Sequence, residues 1–219
     1  MKMKKIASVV AAGVMAMGIG ASLAPAGVAF ADSPYCATVE KAAPENGFFF
    51  DFAKKMPKEA QASHGWCNGA MFDTNWYKDN VTFNSKRMQL NLDVEDGPGW
   101  AIPGINYSGA EFRTFTQNRY HYGLYEVCMK PAKSDGIVSS FFTYTGPYDE
   151  PKTAITWYVD GKEVHKAVGN LPVTPSMVMA NLWAGKGVDA WLNPVDDSDF
   201  PVQAEYKWMK YTPSEKADK

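Results

Sequence analysis

Ile155–Val159 is an unbroken run of β-branched and aromatic residues that meets Asp160-Gly161 and returns as Lys162-Glu163-Val164-His165. A two-residue hairpin turn needs positive φ at both central positions. Asp-Gly supplies them at low steric cost, so this stretch is committed to an antiparallel hairpin. The same period of two recurs along the chain. Met88, Leu90, Leu92 and Val94 alternate with Arg87, Gln89, Asn91 and Asp93, the pattern of a half-buried strand. Tyr125, Val127 and Met129 alternate with Glu126, Cys128 and Lys130, and Tyr206 and Trp208 alternate with Glu205 and Lys207. Ile137–Tyr144, between Gly136 and Gly146, reads as one strand, and Met177–Trp183 as another. Only Asp51–Gln61 suggests a helix, and Pro57 interrupts it. Many short strands with Gly/Pro turns and no internal repeat predict an all-β sandwich.

The N-terminus carries a different signal. Met1-Lys2-Met3-Lys4-Lys5 is basic, Ile6 to Leu23 is apolar, and Ala29-Phe30-Ala31 is an A-x-A site. These regions predict a secretory signal over residues 1–31 and an extracellular product that begins at Asp32. Residues 32–46 read as a loose leader, and 47–219 as one domain. An uncleaved anchor is the alternative, which Pro25 and the glycines disfavour. After cleavage no other apolar run is long enough to cross a bilayer.

Three lysines and no acidic residue fall in residues 1–31, which leaves 19 basic against 24 acidic residues in the remainder. That surface excludes nucleic acid, which demands clustered positive charge. Cys36, Cys67 and Cys128 allow one internal disulfide and one leftover thiol. His64, His121 and His165 lack metal-ligand spacing, and neither G-x-S-x-G nor a phosphate loop is present. No metal or cofactor is expected, and a monomer is. Seven Trp and eleven Tyr suit either a sandwich core or a groove whose rings stack on sugar faces.

Several longer stretches resemble the lichenases, the endo-β-1,3-1,4-glucanases of glycoside hydrolase family 16. They are Tyr122–Lys133 (YGLYEVCMKPAK), Gly136–Pro147 (GIVSSFFTYTGP), Ile155–Gly161 (ITWYVDG) and Met179–Leu192 (MANLWAGKGVDAWL). Cys67–Phe72 and Glu111–Arg113 add to them. The resemblance implies a jelly roll of two curved antiparallel sheets with an open cleft for β-glucan. It implies sugar-contact roles for Asn68, Glu111 and Arg113, for the aromatics Phe142 and Tyr144, and for Asn181, Trp183 and Trp191. Spacing alone puts Glu111 and Arg113 on one strand face, where they either pair with each other or point at ligand hydroxyls. The family's usual cysteine pair is not matched, since Thr74 and Ser108 stand near those places. Lys207 stands where many relatives hold calcium with an acid, so calcium is not expected.

The family's retaining hydrolysis rests on a strand reading Glu-x-Asp-x-Glu. Its outer carboxylates act as nucleophile and acid/base about 5–5.5 Å apart. Here Tyr148-Asp149-Glu150 resembles the entry to that strand and puts Glu150 at the nucleophile position. The next same-face residues are Lys152 and Ala154, and Pro151 removes a ladder N–H. The resemblance therefore implies an incomplete jelly roll, with an internal deletion near 150/151 that removes the acid/base. Glu126, Glu163, Asp196, Asp197 and Asp199 are read as solvated surface carboxylates rather than replacements.

Overall fold

The computed structural model describes residues 6–8, 34–53, 55–69, 71–84, 86–95, 102–144, 154–169 and 174–214. Its strands are β1 (Ile6–Ser8), β2 (Phe48–Asp51), β3 (Ala60–Ala62), β4 (Thr74–Trp76), β5 (Val81–Phe83), β6 (Met88–Val94) and β7 (Tyr107–Thr114). There follow β8 (Gly123–Lys130), β9 (Ile137–Ser139), β10 (Phe142–Tyr144), β11 (Ala154–Val159), β12 (Lys162–Val168), β13 (Met177–Ala184) and β14 (Val202–Pro213). Two short α-helices, α1 (Pro34–Thr38) and α2 (Asp189–Leu192), and the 3-10 turns Lys78–Asn80 and Asp197–Asp199 accompany them among the described residues. The expected helix over Asp51–Gln61 is absent among the described residues. Phe48–Asp51 instead pairs with β14, because Phe48 and Phe50 fill the core from an extended backbone.

The outer sheet runs β5-β6-β14-β8-β1-β11-β12, with β2 on the same edge of β14 as β6. The second sheet runs β3-β7-β13, and β9 and β10 share the far edge of β13. The two sheets meet on β7: Tyr107 and Ser108 pair with β6, and Ala110–Arg113 pair with β13. Phe52, Leu90, Leu92, Phe112, Leu182 and Tyr206 are fully buried between the sheets, giving the expected jelly-roll sandwich. Gly109 stands where the strands crowd most. A Cβ there would lie 2.5 Å from both the Leu182 carbonyl oxygen and Thr74 Cγ2. The strand expected over Ile137–Tyr144 is split at Ser140-Phe141 into β9 and β10.

A bulge corrects one face assignment. Tyr206 pairs with Met129 but Trp208 pairs with Cys128, so one extra residue, Lys207, lies in β14. Adjacent positions on β8 face opposite ways, and so do Tyr206 and Trp208. Tyr206 enters the central core, while Trp208 packs outside the sheet against Cys36 and Cys128. The leader read as loose is pinned there. Cys36 bonds to Cys128, Tyr35 donates to Glu126 at 2.8 Å, and Lys210 donates to the Glu40 carbonyl at 2.8 Å. Glu126 is thus buried under α1 rather than solvated, and burial together with that hydrogen bond pushes the Tyr35 hydroxyl well above its ordinary pKa.

β8 and β11 run in the same direction, and the three-residue β1 lies between them, parallel to both. Every other ladder of the outer sheet is antiparallel. Among the described residues, β1 makes the sole ladder joining the β11–β12 hairpin to the sheet, and it covers β8 only at Tyr125. The hairpin turn has the expected geometry, with positive φ at Asp160 and Gly161.

Two outcomes follow from this architecture. Reducing Cys36–Cys128, which closes a loop with a sequence separation of 92, should lower unfolding free energy by about 4–5 kcal/mol on loop-closure arithmetic. Urea titrations with and without dithiothreitol measure it, and coincident curves would refute it. A chain beginning at Asp32 lacks β1, so trypsin should cut the exposed Lys162 and Lys166 at least about tenfold faster than in the full chain. Equal cleavage rates would show that the hairpin is held by something else.

Candidate functional site

The face of the second sheet turned away from the core carries two rows of side chains that cross its strands. Register sets Gln61 opposite Arg113, Arg113 opposite Met179, and Met179 opposite Phe142. One pair further along, Asn181 faces Glu111, and the Ser63 N–H donates to the Glu111 carbonyl at 2.8 Å, extending the β3–β7 ladder. Period-2 geometry puts both rows on one face, with Tyr144 and Trp183 continuing it along their own strands.

Glu111 anchors the polar row. It is buried, and its carboxylate accepts from Ser63 Oγ at 2.6 Å, Asn181 Nδ2 at 3.2 Å and Asn68 Nδ2 at 3.4 Å. Three neutral donors satisfy a buried carboxylate without a cation. Asn181 is held in turn, since its Oδ1 accepts from Ser140 Oγ at 2.5 Å. The Ser140 carbonyl accepts from Tyr206 Oη at 2.7 Å. Burial raises the Tyr206 pKa far above the ordinary tyrosine value, so that hydroxyl stays a donor. Asn68 Oδ1 accepts from Trp66 Nε1 at 3.2 Å and from Trp76 Nε1 at 3.0 Å.

Arg113 is engaged separately. Its guanidinium lies 4.7 Å from the Trp66 ring centroid, and with the Gln61 amide turned so that its oxygen faces the guanidinium, Nη2 and Nε donate to that oxygen at 3.2 and 3.3 Å. The intrastrand ion pair with Glu111, one of two readings of the spacing, is not formed. Trp183 is buried and packs against Phe72 with ring centroids 4.3 Å apart and planes tilted by 40°, with Trp191 6.3 Å away on α2. Trp191 and Tyr144 are 52% and 57% exposed, which leaves these large ring faces to solvent. The face thus gathers amide, carboxylate and guanidinium groups beside aromatic rings, with Glu111 and Asn181 buried and Asn68, Arg113, Tyr144 and Trp191 reaching solvent.

All eight residues expected to contact a ligand lie on this face: Asn68, Glu111, Arg113, Phe142, Tyr144, Asn181, Trp183 and Trp191. Glu150, the nucleophile candidate, lies outside the described residues. Sequence reading missed Gln61, Ser63, Trp66, Ser140 and Trp76. Gln61 and Ser63 alternate, but β3 is three residues long and too short for period-2 patterning to register. Among the described residues no group of three His, Cys, Asp or Glu side chains is placed to hold a metal.

This face on a curved antiparallel sandwich defines a jelly roll. Residues 68–152 match the family Glycosyl hydrolases family 16. The chain is 33% identical over 228 aligned positions to the "Beta-glucanase" of Brevibacillus brevis, covering 80% of this chain and 85% of that protein. It is 34% identical over 216 positions to the "Xylanase/beta-glucanase" of Ruminococcus flavefaciens, covering 74% of this chain but spanning only 26% of that longer protein. A β-1,3-1,4-glucanase (lichenase) structure derived from a mouse hindgut metagenome superposes with a TM-score of 0.68 at 30% identity. It covers 77% of this chain and 99% of that one. The chain belongs to glycosyl hydrolase family 16.

The network predicts an asymmetry between the two charged residues. Glu111→Ala should cost about 3 kcal/mol, because it strands the buried Ser63 and Asn181 donors. Arg113→Ala should cost less than about 1 kcal/mol, since it removes only a partly exposed cation–π contact and one partner of Gln61. Chemical denaturation of both variants measures the difference, and equal costs would contradict the network.

Proposed function

We propose that this chain is an exported family 16 protein whose cleft grips mixed-linkage β-1,3-1,4-glucan, and that its hydrolytic route is crippled by an internal deletion near 150/151. The binding part rests on the polar and aromatic face of the second sheet. Sugar hydroxyls need fixed donors and acceptors, which the Glu111–Asn181–Asn68 cluster and Arg113 supply, and pyranose faces need exposed rings, which Tyr144 and Trp191 supply.

The observation that carries the deletion is where the connector 145–153 begins and ends. It leaves from β10, an edge strand of the cleft sheet, and arrives at β11, which borders the one-strand gap filled by β1 in the outer sheet. One end of this nine-residue stretch therefore leaves an edge strand, and the other meets a strand whose neighbour, β1, belongs to the segment expected to be removed on export. The alignment with the Brevibacillus brevis protein runs over 228 positions while taking in 80% of this chain, so it sets gaps in this chain against residues of that protein. Glu150, at the nucleophile position, then has no acid/base carboxylate two residues beyond Lys152. Loss of general-acid help alone slows such chemistry by about 10²–10⁴-fold.

Binding and turnover are separable in one assay with barley β-glucan. The expected result is retention in glucan-containing gels without release of reducing ends, unchanged in Glu150→Gln. Failure of the folded protein to be retained would defeat the binding reading. Turnover abolished by Glu150→Gln would show that Glu150 still works with a partner, and the deletion reading would fall. Export is checked by expressing the full chain in a secreting bacterium, where the released protein should begin at Asp32.

A further inference from the structure

We infer that Ser63 is a positioning residue of the cleft, acting on a bound glucan through Glu111. The inference rests on the glucan-binding reading above. Ser63 is completely buried and gives its hydroxyl to Glu111, so it acts on the cleft through that carboxylate. Its backbone N–H donates to the Glu111 carbonyl at 2.8 Å and its hydroxyl donates to Glu111 Oε1 at 2.6 Å, so both ends of the contact are fixed by one residue. Asn181 and Asn68 approach the other carboxylate oxygen, Oε2.

The division of labour matters because the terminal torsion of a glutamate is broad and roughly two-fold. Two donors on Oε2 alone leave the carboxylate plane free to turn about that oxygen. The Ser63 hydroxyl holds Oε1 from the β3 side while Asn181 holds Oε2 from the β13 side, and the plane is set across three strands. A hydrogen bond to an ionised oxygen is among the stronger ones, and 2.6 Å is within its usual range. Three donors leave one lone-pair site of this carboxylate, on Oε1, and a fixed plane gives that site one direction, which is what recognition of a sugar hydroxyl needs.

The test is a double-mutant cycle on glucan affinity, read by gel retardation in barley β-glucan. Ser63→Ala should weaken retention about tenfold, and the same change should cost less than about twofold in a Glu111→Ala background. A wild-type affinity for Ser63→Ala, or an undiminished loss in the Glu111→Ala background, would overturn the proposal. Ser63→Thr keeps the hydroxyl and should stay within about twofold of wild type. If Ser63→Ala does not fold, Ser63→Cys takes its place, since a thiol of similar size donates weakly. If the wild-type protein is not retained at all, the glucan reading fails, and ligand-free NMR then tests whether Ser63 sets the Glu111 carboxylate. The Asn181 side-chain amide resonances should then shift in Ser63→Ala and hold their wild-type position in Ser63→Thr. Unchanged resonances in Ser63→Ala would refute it.

Discussion

The register of β13 on β7 is the constraint from which the cleft follows. It sets Asn181 against Glu111 and Met179 against Arg113, and a slip of one residue would turn both rows into the core. The buried Glu111 carboxylate helps enforce that register. Its three donors come from β13 and from the chain following β3, so any other alignment leaves a charge buried without partners. Gly109 adds a steric condition, because only a residue without Cβ lets β4 and β13 approach β7 so closely. Polar satisfaction on one face and close packing on the other thus select the same pairing.

The outer sheet is organised on a different principle. β14 is its spine, pairing with β6 and β2 on one edge and with β8 along the other. The bulge at Lys207 splits its aromatic side chains between two clusters, and the second of these, around Trp208, is sealed by α1 and the Cys36–Cys128 bond. Beyond β8 the sheet depends on β1, which lies within the segment expected to be removed on export. The terminal β12 carries Lys162, Glu163 and Lys166, charges that discourage pairing with another edge. The cleft and the hairpin therefore rest on separate supports. Loss of order in the hairpin need not disturb the rows on β7 and β13.

Much of the architecture was legible in the chain. β6, β8, β13 and the β11–β12 hairpin were readable because each has a long enough run for alternation to show, or a turn dipeptide with a single low-cost geometry. The site residues were readable only through resemblance, since neither Asn68 nor Glu111 belongs to a local motif that spacing alone would single out. What sequence reading got wrong has identifiable causes. Glu126 looked solvated because α1, which covers it, lies far away in the chain. Trp208 was placed on the face of Tyr206 because one inserted residue reverses the alternation and leaves no mark in the pattern.

Local chemistry, in the end, determined which segments are strands: backbone preference and side-chain alternation act over a few residues, and these residues state them openly. The choice between an ion pair within β7 and two separate engagements for Glu111 and Arg113 was left to the tertiary structure. So were the identity of the disulfide and the contact between Ser63 and Glu111. Each of these is settled by which distant strand comes to lie alongside, a matter of long-range packing that no short window of sequence contains.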